Sequence, residues 1–313
     1  LSSKVLIISS DNDPHMLAVA GHLRSLGSKV VQHDFADLID EGVEINIDEG
    51  TFCIGKNDLH DCTGVYLRRM FPLRSSALSK PHLAFAQNEF RHAALGRLLS
   101  MDVRWVSHPE ALRLASFKAR QYWLAKHIYA LSIPQTLITS DAAKAKAFIE
   151  ANRLTGTIIK CLGAPVIEYE DETGCFFTNE VTDEVIEVLD DLSYSPCIIQ
   201  PLIPKAFEVR ANVVGNQMFA AKIDTMGVAE ARVDWRFSKA GELPHSRIEL
   251  PPAITQACIA MTRDLGLKFG AFDFLVDHEA NWYFLEVNPN GQWWWVEELV
   301  GHPIAAAIAR ELL

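Results

Sequence analysis

Two apolar segments near the C-terminal end carry polar residues inside what otherwise read as core strands. They are Phe272-Asp273-Phe274-Leu275-Val276 and Trp282-Tyr283-Phe284-Leu285-Glu286-Val287-Asn288-Pro289-Asn290-Gly291. Together they predict a hairpin with residues 278–281 as its loop. Strand side chains alternate between faces, so Glu286 and Asn288 share one. If 277 stands opposite 282, Asp273 falls opposite Glu286, with Cβ atoms about 4.5–5.5 Å apart. Two carboxylates so placed repel, and a bound cation removes the penalty. Three oxygen-bearing side chains, completed by water and phosphate, suit Mg²⁺. The alternative is that both acids face solvent or pair with Arg and Lys.

Two further segments put charge into apolar strands. Lys160 follows Thr157-Ile158-Ile159 and precedes Cys161-Leu162. Burying a lysine there is costly without an anion, and a phosphate would satisfy it; a solvated strand face would too. Downstream, Ile198-Ile199-Gln200-Pro201-Leu202-Ile203-Pro204-Lys205 has two prolines near a strand end. That predicts an irregular connector with backbone groups free for a ligand. In the strand that follows, Glu208, Arg210 and Asn212 alternate with Phe207, Val209, Ala211 and Val213 and line one polar face, either functional or merely solvated.

The rest of the chain frames these segments. A strand at 5–9, an Asp13-Pro14 helix start, a stripe of Met16, Leu17, Ala20 and Leu23, a stop at Gly27 and a strand at 29–35 make a strand-helix-strand opening. The turn Ser9-Ser10-Asp11-Asn12 lacks a glycine fingerprint, so no dinucleotide site is read there. With strands at 51–55 and 64–68 and a helix at 81–99, this is an α/β domain. Helices are predicted at 117–131, with Leu124, Ile128 and Leu131 on one stripe, at 142–151 and at 253–265. Strands are predicted at 157–162, 165–169, 175–178, 197–200, 207–214 and 217–223, the last two joined through Gly215-Asn216.

Composition removes several function classes. Across 313 residues, 29 basic and 40 acidic side chains leave a net charge of −11, which disfavours whole-surface attraction to nucleic acid or anionic lipid. No apolar run is long enough to cross a membrane. Val5-Leu6-Ile7-Ile8 is too short for a secretory signal, and a chain opening on Leu is expected to be processed or trimmed. Six cysteines, at 53, 62, 161, 175, 197 and 258, form no C-x-x-C, which suits free thiols in a cytoplasmic protein.

The charged segments, in this order, resemble the ATP-grasp superfamily. The resemblance narrows over residues 64–313. Phe284-Leu285-Glu286-Val287-Asn288-Pro289-Asn290-Gly291-Gln292-Trp293, Glu297-Glu298 and Gly301-His302-Pro303-Ile304 look like the microviridin-type peptide ligases, or graspetide synthetases. So do Asp234-Trp235-Arg236 with Leu243-Pro244, Ser132-Ile133-Pro134-Gln135-Thr136 through Asp141, and the arginine pair in Tyr66-Leu67-Arg68-Arg69. The resemblance implies α/β and α+β architecture: an ATP-grasp fold behind an N-terminal Rossmann-like pre-ATP-grasp domain. The implied divisions are 1–107, a central ATP-grasp subdomain at 108–200, and a C-terminal subdomain with the Mg²⁺ site at 201–313.

It also implies roles. Asp273, Glu286 and Asn288 would hold Mg²⁺ on the ATP phosphates, with Glu286 bridging two ions. Lys118 and Lys160 would contact phosphates. Gln200 and the backbone of Leu202 and Ile203 would form the adenine edge, and Glu208 would bind ribose. Arg210 and Arg236 would face the γ-phosphate and an acyl phosphate, while Arg68 and Arg69 would orient the peptide. The implied reaction is macrocyclisation of a ribosomally made precursor peptide. Asp or Glu carboxylates would be phosphorylated, then attacked by Thr/Ser hydroxyls or Lys amines. A leader segment would dock away from the ATP site, and members are often homodimers.

The stretch Gly163 to Gly174 is placed for a lid, but its glycines stand only at its ends. Trp293-Trp294-Trp295 is expected in the core or at an interface near the metal strand, the alternative being contact with peptide. Two other readings stay open: a ligase adding free amino acids to a protein tail, like the ribosomal-protein glutamate ligases, and a non-catalytic ATP-binding partner protein.

Overall fold

The computed structural model describes residues 3–163, 166–168, 173–176, 178–225, 228, 233–235 and 243–313. Strands β1 (Lys4–Ile8), β2 (Lys29–His33), β3 (Gly64–Leu67) and β4 (Arg104–Val106) form a parallel sheet in the order β2-β1-β3-β4. Parallel strands require crossovers, and α1 (Pro14–Ser25) supplies the first. Its start is as the sequence predicts: the Asp13 side chain accepts from the His15 N–H, and Pro14 takes the first helical position. The buried stripe is Met16, Val19, Ala20 and Leu23; Leu17 is exposed, because it lies one position off that i, i+3, i+4, i+7 row. The strand at 51–55 belongs instead to a small antiparallel sheet, Val43–Asn46, Thr51–Ile54 and Asn57–Asp58.

The helix expected at 81–99 is present as one continuous helical run from Lys80 to Leu99, with a wider turn inside it. Helix α2 (Lys80–Phe90) buries none of its residues fully, and a wide π-turn at Arg91–Leu95 precedes a last helical turn at Gly96–Leu99. The wide turn rotates the inner face, so Ala94, Leu95 and Leu98 take the core positions. Helix α3 (Lys118–His127) is shorter than predicted. Ala130 adopts a left-handed φ of 52° beyond its end, so Ile128 is exposed while Leu131 turns back into the core.

A second, four-stranded antiparallel sheet holds β5 (Leu137–Thr139), β6 (Thr157–Lys160), β7 (Asn179–Glu180) and β8 (Cys197–Pro201), in the order β7-β6-β8-β5, with α4 (Ala142–Ala151) against it. Between β6 and β7, Val166–Glu168 pairs antiparallel with Thr173–Cys175. The rest of the expected lid lies outside the described residues, as does Arg236. A third sheet holds β9 (Lys205–Val214), β10 (Gln217–Ile223), β11 (His245–Arg247), β12 (Phe269–Asp277) and β13 (Trp282–Asn288) in the order β11-β10-β9-β12-β13. Helices α5 (Pro252–Asp264), α6 (Trp294–Val300) and α7 (Ile304–Glu311) complete it.

Apolar packing joins these sheets unequally. Val5, Ile7, Met16 and Leu23 share one core with Val214, Phe269, Ala271, Trp293 and Ile304, fusing the first sheet to the third through α7. The second sheet has a small core of its own, around Ala145, Ile159, Leu189 and Ile199. Close approach marks the fused seam: a Cβ on Gly64 would lie 2.6 Å from the Leu312 carbonyl oxygen. Gly64→Ala is therefore expected to force α7 off the first sheet and cost about 1–3 kcal/mol by overpacking. Urea unfolding of the variant beside the native chain measures this.

Candidate active site

The site is built around a defect in the β12–β13 hairpin. Val276, Leu275 and Phe274 stand opposite Trp282, Tyr283 and Phe284, and Asp273 stands opposite Glu286. Leu285 is thus an extra residue, a β-bulge. The predicted Asp273–Glu286 pairing is present, but the predicted 277–282 register is not. The turn is one residue longer, because Asp277 Oδ1 accepts the Glu279 and Asn281 N–H groups at 2.9 and 2.8 Å and closes it. Without the bulge, Phe284 and Glu286 would share a face. With it, Phe284 and Val287 pack among Phe272 and Phe274, while Leu285, Glu286 and Asn288 face a cleft together with Asp273 and Leu275.

Cations answer the paired carboxylates. Arg210, directly opposite Asp273 on β9, donates Nε to Oδ1 at 2.6 Å and Nη2 to Oδ2 at 3.3 Å. Its Nη1 donates to the Gln292 carbonyl at 2.8 Å, and its guanidinium lies 5.8 Å from the Trp295 ring centre. Lys118 Nζ stands 3.2 Å from Glu286 Oε2 and also donates to the Cys161 carbonyl at 3.2 Å. The Asn288 amide bridges the acids, 3.3 Å from Asp273 Oδ2 and 3.1 Å from Glu286 Oε1.

Among the described residues no three His, Cys, Asp or Glu cluster at metal spacing; the set is two carboxylates and one amide. Such a set fits a hard cation that brings water and phosphate oxygens with it. A half-turn of the Asn288 amide, which carries both an oxygen and an NH₂, presents its oxygen instead of its nitrogen.

Gln121 was not foreseen and sets the geometry. β13 is an edge strand, so its outward backbone groups need partners. The Gln121 amide supplies both: Nε2 donates to the Val287 carbonyl at 2.8 Å, and Oε1 accepts the Val287 N–H at 3.0 Å. This pins α3 against the strand and sets Lys118, one turn earlier, beside Glu286. The available signal was a Gln on the helix's buried face, three residues after Lys118 and four before Ala125.

The cleft encloses about 460 Å³ and is lined from two sheets. Lys160, Cys161, Leu162 and Phe176 face Glu208, Asp273, Leu275, Glu286 and Asn288, with Lys118 and Gln121 at one side and Asp234 and Trp235 at another. Glu208 is buried against Lys205; burial raises its pKa, Lys205 opposes this, and Asp234 and Asp273 add to it.

Residues 115–312 match the model of the RimK-like ATP-grasp domain. The chain belongs to the RimK-like ATP-grasp family. Comparison with curated proteins by sequence gives no match. Among solved structures, the chain is similar to the macrocyclase MdnC of Microcystis aeruginosa MRC bound with its precursor peptide MdnA, at 26% identity, 99% of each chain and a TM-score of 0.87. A RiPP-associated ATP-grasp ligase of Chryseobacterium gregarium, in complex with ADP and leader and core peptide, is 26% identical over 99% of this chain and 96% of that one, with a TM-score of 0.89. The macrocyclase MdnB of the same Microcystis strain is also 26% identical over 99% of both chains, with a TM-score of 0.79.

Within this ATP-grasp chain, Lys118, Lys160, Glu208, Asp273, Glu286 and Asn288 are brought to one cleft. Gln200, Leu202, Ile203 and Arg210 are not on its lining. Gln200 is fully buried and donates to Thr136 Oγ1 at 2.8 Å. The Leu202 N–H is spent on the Gly156 carbonyl at 2.9 Å. Arg210 is turned onto Asp273 and Gln292. Arg69 is exposed, whereas Arg68 is 1% exposed and bonded to Asn290 rather than open to a peptide. The tryptophan run is core: Trp293 is 1% and Trp295 8% exposed, and Trp295 packs on Trp235.

Gln121→Leu removes both partners of the Val287 backbone. It is expected to cost about 1–3 kcal/mol of stability and to weaken ATP binding, because Lys118 loses its register on Glu286. Unfolding and nucleotide titration measure the two effects; intact ATP affinity would confine Gln121 to the fold.

Proposed function

We propose that the chain is an ATP-grasp ligase that macrocyclises a ribosomally made precursor peptide. The observation that carries this reading is the cleft in which Asp273, Glu286 and Asn288 of one sheet face Lys118 and the Lys160 strand of another. It is supported by full-length similarity to a macrocyclase bound with precursor peptide and to a RiPP-associated ATP-grasp ligase bound with ADP and leader and core peptide.

A carboxylate is a poor electrophile at neutral pH. Phosphorylation by ATP turns it into an acyl phosphate with a good leaving group. A Thr or Ser hydroxyl or a Lys amine then attacks the acyl carbon, phosphate departs, and an ester or amide remains. Positioning and charge neutralisation supply most of the catalysis. Mg²⁺, when bound, would draw charge from the phosphate oxygens, and Asp273, Glu286 and Asn288 would hold it.

Lys118 and Lys160 would hold phosphates, and Glu208 the ribose. Ile203 and the Leu202 carbonyl would serve the adenine edge. Arg210 would act by fixing Asp273, leaving the acyl phosphate to Arg236. Arg69 would meet the peptide. We take the divisions at 107/108 and 200/201 as domain boundaries, with the first sheet as the Rossmann-like pre-ATP-grasp domain; the second-sheet strand Cys197–Pro201 runs one residue past the later cut. We place the enzyme in the cytoplasm; a homodimer rests on the family resemblance alone. The free state of the five described cysteines supports the compartment, and no helix among the described residues is long and apolar enough to cross a membrane.

The family match keeps a second reading in play, a ligase that adds free glutamate to a protein tail. Mass spectrometry separates the two. Co-expression with a short acidic, Thr-rich peptide encoded beside the gene should give ATP-dependent losses of water, one per ring. Stepwise gains of glutamate mass would support the second reading. Glu286→Gln should keep the fold and abolish both the mass loss and peptide-dependent ATP hydrolysis; native turnover in that variant would sink the metal assignment.

A further inference from the structure

The loop that leaves β13 is held from two directions. From its own sheet, Arg210 donates to the Gln292 carbonyl. From the first sheet, two separate contacts cross the fused seam. Arg68 Nη1 donates to the Asn290 carbonyl at 2.8 Å, and the Asn290 amide donates back to the Leu67 and Arg68 carbonyls. Three residues on, the Trp293 N–H donates to His15 Nε2 at 3.2 Å. Gly291 lets the loop lie flat on β12, where a Cβ would stand 2.7 Å from the Ala271 Cβ.

The His15 contact is itself held. Its Nδ1 lies 2.7 Å from Asp13 Oδ1, and Ser9 Oγ donates to Asp13 Oδ2 at 2.7 Å. Since Nε2 accepts from Trp293, the ring is neutral with its proton on Nδ1, donated to Asp13. Burial lowers the His15 pKa, with Arg68 and Arg69 acting in the same direction and Asp13 opposing. Burial also opposes ionisation of Asp13, but hydrogen bonds from His15 and Ser9 and the charge of Arg68 outweigh it and keep the acid ionised. None of these groups lines the cleft.

We propose that Asp13, His15 and Asn290 are positioning residues: through the 289–293 loop, the N-terminal sheet sets where Asn288 stands and how Arg210 is held against Asp273. The proposal rests on the reading of Asp273, Glu286 and Asn288 as the Mg²⁺ site. Groups behind metal ligands typically change metal affinity about 10- to 100-fold when removed.

Calorimetric titration of the intact chain with ATP, once with Mg²⁺ and once in EDTA, tests it. The readout is the gain in affinity that Mg²⁺ confers. His15→Phe keeps a ring against Trp293 and loses the acceptor, Asn290→Ala removes the other contact, and His15→Gln restores an acceptor. The gain should fall at least about tenfold in His15→Phe and Asn290→Ala, and stay within about threefold of native in His15→Gln. Affinity in EDTA should hardly move. An unchanged gain in the first two variants, or equal losses with and without Mg²⁺, overturns the proposal. So does failure of Gln to rescue. If His15→Phe does not fold, Asn290→Ala decides; if neither folds, the contacts serve folding alone and the proposal falls. Glu286→Gln is the reference. Should it retain the gain, the metal reading itself fails, whereas loss there with no effect at His15 and Asn290 removes only the positioning role.

Discussion

Asp273 and Glu286 stand side by side on one face of an antiparallel pair, and the surrounding structure answers their mutual repulsion. Two unit charges about 4 Å apart repel by about 4 kcal/mol at an effective dielectric near 20. Arg210 meets one acid with two nitrogens, Lys118 meets the other, and the Asn288 amide lies between. Each of these partners comes from a different element, β9, α3 or β13, so the pair draws on contacts that only the assembled fold provides.

The sheets divide this work. The first and third share one core and, through Arg68, Asn290, His15 and Trp293, a set of polar contacts. The second sheet brings Lys160 and the Cys161 carbonyl to the opposite wall while keeping a separate core. The first and third sheets are thus joined by a shared core, and the second meets the third through Ile198, buried in one cluster with Val209 and Phe272. The wall that carries Asp273, Glu286 and Asn288 therefore lies on the side with the larger buried core.

Much of the site could be read before the fold was known, because its residues break the rule of their surroundings. Acids in apolar strands and a lysine after three strand-forming residues each have few structural explanations, whereas the prolines beside a strand end did not lead to the cleft, since the Leu202 N–H is spent on the Gly156 carbonyl. Residues whose local pattern is ordinary stayed hidden. Gln121 is one polar residue in a short helix, and only the edge position of β13 makes its amide a partner for Val287. His15 reads as a helix residue after a cap. Arg68 could be identified as part of an arginine pair, but its partner is Asn290, 222 residues away.

The hairpin separates the two kinds of information most clearly. Sequence alone determined that Asp273 and Glu286 belong to paired strands and that Glu286 and Asn288 point the same way, since alternation is a property of the local backbone. It also determined the start of α1, through Asp13 and Pro14. Tertiary structure decided the register. Closing the turn on Asp277 added a residue, and the bulge at Leu285 took it up, so that Phe284 could enter the core while Glu286 faced the cleft. The core that Phe284 enters is assembled from Tyr122, Val209, Phe272 and Phe274, which come from three elements that only the fold brings together.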